Sequence, residues 1–217
     1  MSKTGTKSEL IRCPWSGIDD PEYTRYHDEE WGVPNADDRR LFEKLILEGF
    51  QSGLSWLTIL KKRPNFRRAF RDFDAEKIAC FTDKDKARLM ADAGIIRNRL
   101  KIEASIDNAR AFLKLQERTS LAAFLWGHLD GRPIIHARQS FKEVPPRTEL
   151  STAMSKALKK EGFRFVGPTT IYAFMQSSGF VNDHLVSCHR HGPCAKLQRA
   201  FRGSRQAPIV ATTARKK

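Results

Sequence analysis

The sequence predicts an all-α fold. Apolar residues recur at helical spacing almost throughout the stretch from Asp37 to about Cys188. Capping residues precede these stretches and glycines follow them, as is typical of helices. Only the segment from Ile134 to Phe141 is predicted to be extended, and a loop at Pro145 and Pro146 follows it. Helices packed on one another are the architecture that this pattern favours.

Each predicted helix has its own start or stop signal. The first has its N-cap at Asp37 or Asp38, and its apolar stripe comprises Leu41, Phe42, Leu45 and Ile46. Thr82 and Asp85 form a capping-box variant that opens a second helix, which Gly94 can close. The others are a long helix through Ile96, Leu100, Ile106, Ala109 and Leu113, then Ser120 to Leu129, Thr152 to Glu161 before Gly162, and Pro168 to Ser178 before Gly179.

The composition excludes several protein classes. The 217 residues, 40% of them hydrophobic, can bury a core without disulfides, so a disulfide-rich scaffold and a disordered chain are both excluded. No apolar run approaches the length that a bilayer requires, and the first ten residues lack the apolar core of a signal peptide. We therefore expect a monomeric, cytoplasmic protein that does not bind membranes.

The net charge favours a polyanionic partner. The chain carries 39 Lys and Arg against 25 Asp and Glu, which gives a formal charge of +14. Residues 189–217 contain eight basic and no acidic residues, so +8 lies there and +6 in residues 1–188. We expect a flexible extension at 1–11, one all-α domain at 12–188 and a basic, mobile tail at 189–217.

A short hairpin between two predicted helices could bind a phosphate. Gly162 and Gly167 bound it and permit tight turning and close backbone approach. The next helix begins Pro168-Thr169-Thr170, so its unpaired N–H groups would face a DNA phosphate, and Arg164 and both threonines could add contacts. An ordinary αα-hairpin with a glycine cap is the alternative.

Cysteine and histidine residues near both ends of the domain could hold a metal. Cys13 and His27 lie near the start, while His184 and Cys188, spaced i and i+4, would share a helical face after Asn182-Asp183. Two thiolates and two imidazoles form a tetrahedral set suited to structural zinc. Buried thiols and solvated imidazoles are the alternative; the rival ligands are His189, His191 and Cys194, and Cys80 is predicted to lie in the core.

Glu48 is a carboxylate on an apolar helical face. It follows Leu41 by seven residues and Leu45 by three, where a charged group is costly unless it has a partner or a task. With nearby aromatic residues it could form a pocket for a flat, electron-poor ligand. In the alternative, the rings fill the core and Glu48 pairs with an arginine. The aromatic candidates are Trp15, Tyr23, Tyr26 and Trp56.

Several long segments between Arg12 and Cys188 carry a family resemblance. They include RCPWSGIDDPEYTRYHDEEWGVP, LFEKLILEGFQSGLSWLTILKKR, DAGIIRNRLKI, NARAFL, MSKALKKEGFRFVGPTTIYAFMQSSG and VNDH. In this order they closely resemble the bacterial 3-methyladenine DNA glycosylase I (Tag) family. The resemblance implies a helix-hairpin-helix glycosylase that flips a damaged nucleotide, 3-methyladenine, out of double-stranded DNA and hydrolyses its N-glycosidic bond.

The resemblance also implies roles for individual residues. Glu48 would accept hydrogen bonds from the base, Tyr26 and Trp56 would stack on it, and Trp15 and Tyr23 would shape the pocket. The position at which related glycosylases carry a catalytic Asp matches either Asn182 or Asp183. A structural zinc would be held by Cys13, His27, His184 and Cys188, which would tie the two ends of the domain together.

The sequence departs from the family pattern at its ends. A segment precedes Arg12, the ending SCHRHGPC offers substitute ligands, and the basic tail is expected to raise nonspecific DNA affinity. A different class of function is a zinc-stabilised, noncatalytic DNA-binding module in which the aromatic residues only fill the core. A zinc hydrolase is disfavoured, because four protein ligands leave no open coordination position.

Overall fold

A computed structural model describes residues 10–203, and its architecture is mostly helical, which confirms that part of the predicted fold class. Two strands of two residues each, β1 (Ile134–Ile135) and β2 (Val181–Asn182), pair in parallel. The α-helices within the described range are α1 Pro21–Glu29, α2 Asp38–Gln51, α3 Trp56–Ala69, α4 Ala75–Ala79, α5 Asp83–Ala91, α6 Arg99–Gln116, α7 Leu121–Gly127, α8 Glu149–Lys160, α9 Pro168–Ser177 and α10 His191–Ala200.

Helix α2 is the centre of the domain. The Asp37 side chain caps it by accepting a hydrogen bond of 2.8 Å from the Arg40 N–H. Its residues from Leu45 to Phe50 are all buried, and it packs against α3, α6, α7 and α9. The helix therefore carries Glu48 into the middle of the core.

Several predicted helix boundaries differ from the structure. The capping box at Thr82 and Asp85 is present, but α5 already ends at Ala91, because Asp92 leaves helical geometry. The long helix starts at Arg99, where Asn98 caps it, and α8 starts at Glu149 after its own capping box at Thr148. Helices α1, α3, α4 and α10 were not predicted.

The predicted start of the tail at residue 189 also differs from the structure. Helix α10 buries Cys194 and Gln198, the Phe201 ring lies 4.5 Å from that of Trp126, and the Gly203 N–H donates to the Gly131 carbonyl. The packed domain thus extends to Gly203. Most of the predicted N-terminal extension and the basic residues after Gly203 lie outside the described residues.

Two further predictions about cysteine positions are wrong. His184 and Cys188 do not lie on a helix, since β2 is followed by turns until α10 begins. The Asn182 side chain accepts from the His184 N–H within this turn and donates to the His191 carbonyl, so it caps no helix. Cys80 is exposed at the end of α4 rather than in the core.

No helix within residues 10–203 combines the length and the apolar character that crossing a bilayer would demand.

Candidate active site and metal centre

A cavity of about 280 Å³ opens among α1, α2, α3 and α9. It brings together Glu48 and the four aromatic residues singled out in the sequence, Trp15, Tyr23, Tyr26 and Trp56. This volume lies just below the usual range of ligand pockets, which starts at about 300 Å³. The remaining lining residues are Trp31, Gln51, Phe141, Val144, Ala173, Gln176 and Ser177.

The aromatic side chains form a continuous wall along the cavity. The ring centroids of Trp15 and Tyr23 are 5.0 Å apart, those of Tyr23 and Tyr26 are 6.3 Å apart, and those of Tyr26 and Trp56 are 5.4 Å apart. Trp31 meets Trp15 edge to face at 4.8 Å. Such a wall offers several electron-rich ring faces to a flat ligand.

Glu48 is a buried carboxylate at the edge of this wall. Only 3% of the residue is exposed. Burial raises its pKa to about 7, although the Lys44 ammonium and the nearby Ser177 hydroxyl favour the ionised form. The arginine pairing considered as an alternative is not what the structure shows, because the basic neighbour of Glu48 is Lys44 and Arg63 binds Glu30 instead.

Sequence reasoning missed the wall that α9 contributes. Ala173, Gln176 and Ser177 are spaced three and four residues apart, so they share one helical face, and this face lines the cavity. This spacing is visible in the sequence and is the signal that points to a second wall of the pocket.

Neither Asn182 nor Asp183 is left without partners. Asp183 is fully buried and accepts hydrogen bonds from the Tyr172 hydroxyl at 2.6 Å and the Gln176 amide at 2.8 Å, and it pairs with His136 at 2.6 Å. Although burial opposes it, these contacts hold the pKa of Asp183 below its ordinary value. Asp183 therefore fixes neighbouring side chains, including Gln176 of the cavity.

The four sequence-predicted metal ligands converge. Their ligand atoms all lie within 4.8 Å of one another, and all four residues are buried. Cys13 Sγ is 3.6 Å from His184 Nδ1, while Cys188 Sγ is 3.5 Å from His27 Nε2 and 3.6 Å from His184 Nδ1. A tetrahedral zinc with usual bond lengths places its sulfur and nitrogen ligands roughly 3.6 Å apart, so the donor set fits that metal.

Outer contacts orient both imidazoles. His27 Nδ1 lies 2.7 Å from Asp28 Oδ1, and His184 Nε2 lies 3.0 Å from the Trp31 carbonyl oxygen. This leaves His27 Nε2 and His184 Nδ1 pointing into the cluster, as metal-bound histidines require. The rival ligands have other contacts: His189 to Ile11, His191 to His136, and Cys194 to Trp31.

The cluster of Cys13, His27, His184 and Cys188 adjoins the cavity. The Trp15 ring lies 4.9 Å from that of His27, and Tyr26 precedes His27 on α1. The cluster thus joins the segment before α1, α1 itself and the turn after β2. Contacts that hold these three segments together therefore also fix the positions of Trp15 and Tyr26 in the aromatic wall.

The hairpin between α8 and α9 contacts the same helix that carries Glu48. Gly162 has a φ of +96°, which glycine adopts readily, whereas Gly167 has an ordinary φ of −62°. A Cβ atom on Gly49 would lie 3.3 Å from the Cβ of Phe165, so a glycine there lets the hairpin approach α2. Arg164 is exposed, and its guanidinium pairs with Asp107.

Thr169 and Thr170 lie in the first turn of α9, whose N-cap is Gly167. Thr169 is exposed and Thr170 is half-buried. No side chain caps this N-terminus, and a Cβ atom on Gly167 would meet nothing within 4 Å. The first N–H groups of α9 are therefore accessible to an anion.

Comparison with known proteins identifies relatives over most of the chain. The sequence model of a family described as methyladenine glycosylase matches residues 15–191. DNA-3-methyladenine glycosylase 1 of Escherichia coli K12 is 49% identical over 180 residues, which cover 82% of this chain and 96% of that protein. The DNA-3-methyladenine glycosylase of Haemophilus influenzae is 48% identical, with 84% and 97% covered.

Solved structures resemble this fold closely. A crystal structure of 3-methyladenine DNA glycosylase I (TAG) has a TM-score of 0.81 and 51% identity, and the match covers 83% of this chain and all of that one. A structure of the Staphylococcus aureus TAG, solved to explain 3-methyladenine recognition, has a TM-score of 0.78 and 39% identity, with 81% and 94% covered.

Proposed function

Because the chain belongs to the methyladenine glycosylase family, we propose that it removes 3-methyladenine from alkylated double-stranded DNA by hydrolysing the N-glycosidic bond. Membership makes it an enzyme of the DNA-3-methyladenine glycosylase class, and so a hydrolase. The observation that carries the proposal is the buried Glu48 carboxylate beside an aromatic wall in a cavity of about 280 Å³, which is large enough to admit a nucleobase. We also propose that the chain acts as a monomer, since one chain can supply all the groups of this site.

The chemistry of the substrate suits this cavity. Methylation at N3 leaves the base positively charged within the nucleotide, which weakens the bond to C1′ of the sugar. Water forms the new bond to C1′ and loses a proton to solvent, while the base departs neutral with the bonding electrons. The enzyme therefore needs no general acid for the leaving group, and selection and positioning of the flipped nucleotide supply most of the catalysis.

Glu48 and the rings perform that selection. A carboxylate accepts hydrogen bonds from the exocyclic amine of adenine and favours positive charge on the ring. Tyr26 and Trp56 hold the cationic base between their electron-rich faces more tightly than they would hold neutral adenine. Trp15 and Tyr23 complete the wall and limit the size of the base that enters.

Asp183 and Asn182 support a mechanism without a free carboxylate at the sugar. Asp183 has several hydrogen-bond partners, and the Asn182 side chain is occupied on both of its polar atoms. The lability of the alkylated nucleotide then replaces the acid that related glycosylases use. Chemically stable lesions should consequently be poor substrates.

The α8–α9 hairpin serves as a helix-hairpin-helix DNA anchor in this proposal. The accessible N–H groups at the start of α9 bind a backbone phosphate, and Thr169 and Thr170 add hydrogen bonds. Gly162 and Gly167 allow the backbone to come close to the phosphate. Arg164 adds a positive charge beside it, either directly or after leaving Asp107.

The metal centre holds a structural zinc in this proposal. Cys13, His27, His184 and Cys188 supply its four ligands, and the ion adds stability rather than reactivity because no coordination position remains open. Its task is to lock Trp15 and Tyr26 into the cavity wall.

Release of free base from methylated duplex DNA tests the proposal. The wild type should release 3-methyladenine, and Glu48→Gln should lose most of this activity while it still binds DNA that contains an abasic-site analogue. Glu103→Gln on the surface of α6 is the matched control and should keep full activity. Binding of abasic DNA without base release by the wild type would instead indicate a noncatalytic DNA-binding module.

A further inference from the structure

Lys44 places a buried ammonium group next to the cavity. It lies one turn before Glu48 on α2, and only 13% of its side chain is exposed. Its Nζ atom is shielded from solvent and has no hydrogen-bond partner among the described residues. A buried charge without a hydrogen bond is costly, so an electrostatic task for it is expected.

The Lys44 ammonium sits behind the rings that line the cavity. Its Nζ is 4.5 Å from the centroid of Tyr26 and 5.1 Å from that of Trp56. Lys44 itself lines a separate polar cavity of about 470 Å³ rather than the one that holds Glu48. It therefore interacts with the far side of the aromatic wall and does not occupy the space of a bound base.

Glu30 does not satisfy this ammonium group. The closest carboxylate oxygen, Oε2 of Glu30, is 3.7 Å from Nζ. Both oxygens of Glu30 already accept hydrogen bonds from Arg63, at 2.6 and 2.7 Å. Because Arg63 neutralises Glu30, the positive charge of Lys44 remains available to Glu48, one turn away on the same helix.

Among the described residues, Lys44 is the positively charged group that acts on Glu48. From α1, Tyr23 and Tyr26 face it as neutral phenols, and from α9 Ser177 offers a hydroxyl. The charged groups that act on Lys44 itself are those of Glu30, Glu48, Arg63 and Glu43.

We propose that Lys44 is a positioning residue that keeps Glu48 ionised from behind the aromatic wall and so sets the lowest pH at which the cationic base is recognised. This inference rests on the proposed role of Glu48 in base binding. It assigns to Lys44 no contact with the substrate.

The electrostatic balance of the pair supports this role. Burial raises the pKa of Glu48 to about 7 despite Lys44, so loss of the ammonium would raise it further. Burial lowers the pKa of Lys44 to about 8, opposed by Glu30 and Glu48. Both charges thus coexist around neutral pH, and Glu48 is ionised whether or not Lys44 is charged only at a pH well above the range in which the two groups titrate.

The test is the pH profile of kcat/KM for base release by full-length wild type, Lys44→Met and Lys44→Arg, corrected for spontaneous depurination. For Lys44→Met we expect the acidic limb to move up by about 1 to 2 pH units. Activity at pH 7 then falls about 5- to 50-fold, whereas the profiles converge above about pH 10. Lys44→Arg should retain the wild-type limb, and Lys86→Met, on the surface of α5, is the matched control.

A second measurement does not depend on the folding of a variant. Carbon-13 NMR of labelled glutamate carboxyl groups in the wild type should show Glu48 titrating at the same pH as the acidic limb. Superimposable profiles for wild type and Lys44→Met, or a Glu48 titration away from the limb, would overturn the inference but leave the proposed function intact. Absence of base release by the wild type, or full activity of Glu48→Gln, would refute the proposed function itself.

Discussion

The side-chain amide of Asn108 clamps the backbone of Arg164. Its Nδ2 donates to the Arg164 carbonyl at 3.0 Å, and its Oδ1 accepts from the Arg164 N–H at 2.6 Å. Asn108 lies on α6 and is 3% exposed. One buried side chain on a long helix thereby fixes the hairpin between α8 and α9.

Replacement of Asn108 by Ala should release the hairpin. The substitution leaves a partly buried N–H and carbonyl of Arg164 without their partner, which costs roughly 1 to 3 kcal/mol of unfolding free energy. Affinity for abasic duplex DNA, measured by fluorescence anisotropy, should fall as well. Asp107→Asn removes only the exposed pairing with the Arg164 side chain and should change stability little. Wild-type DNA affinity in Asn108→Ala would show that the clamp does not serve DNA binding.

Gly167→Ala separates folding from DNA binding. The residue has a φ of −62° and open space around a would-be Cβ, so the free protein should unfold at the wild-type temperature. A methyl group there would obstruct a phosphate that approaches the first N–H groups of α9, and affinity for duplex DNA should fall about tenfold. Gly192→Ala, where a Cβ also meets nothing, is the control. Equal affinity in both variants would argue against phosphate binding at this helix.

Removal of the metal should loosen the aromatic wall. Metal analysis of the purified protein should find one zinc per chain, and Cys188→Ser or a strong chelator should abolish this binding and lower stability substantially. Because His27 and Trp15 are neighbours, tryptophan fluorescence should change at the same time and base release should decline. Cys80→Ser, at an exposed position, should alter none of these properties. A metal-free protein with normal stability and activity would contradict the structural role.

Glu48 should make stability depend on pH. Its pKa rises from the ordinary value of 4.5 to about 7 in the folded state, so folded protein binds more protons than unfolded protein between these values. The free energy of unfolding therefore falls as pH rises through this window, by roughly 3 kcal/mol for this group. Urea unfolding at pH 4.5 and pH 8 should show Glu48→Gln gaining stability relative to wild type at the higher pH. An equal difference at both pH values would mean that the folded protein does not raise this pKa.

The sequence predicted the helix that carries Glu48 because Leu41 and Leu45 place that residue unambiguously on an apolar face. It did not predict α1, whose buried residues are Tyr26 and His27 and whose other positions are mostly polar, so no apolar stripe is present. The burial of Lys44 was likewise unpredictable, since it results from the packing of α1 and α3 around α2. These are tertiary effects that local periodicity does not encode.

The four residues predicted as metal ligands show a second limit of prediction from sequence. Spacing placed His184 and Cys188 on a helix, whereas the structure places them in a turn that the side chain of Asn182 helps to form. Convergence with Cys13 and His27 followed from the family resemblance rather than from the spacing. A turn of five residues and one helical turn can bring the same two side chains together, so the four residues converge although the predicted local structure was wrong.

Cys13 and His184, whose side chains meet in the buried Cys/His cluster, are separated by 171 positions in the sequence. During synthesis the ribosome therefore releases Trp15, Tyr23 and Tyr26 long before the residues that enclose them. A nascent chain carries this aromatic segment only partly covered until Leu185 and Cys188 emerge, and the exposed rings favour aggregation during that time. Chaperone dependence of newly made protein, and inactivity of any product that stops short of Cys188, would be the cellular signs of this arrangement.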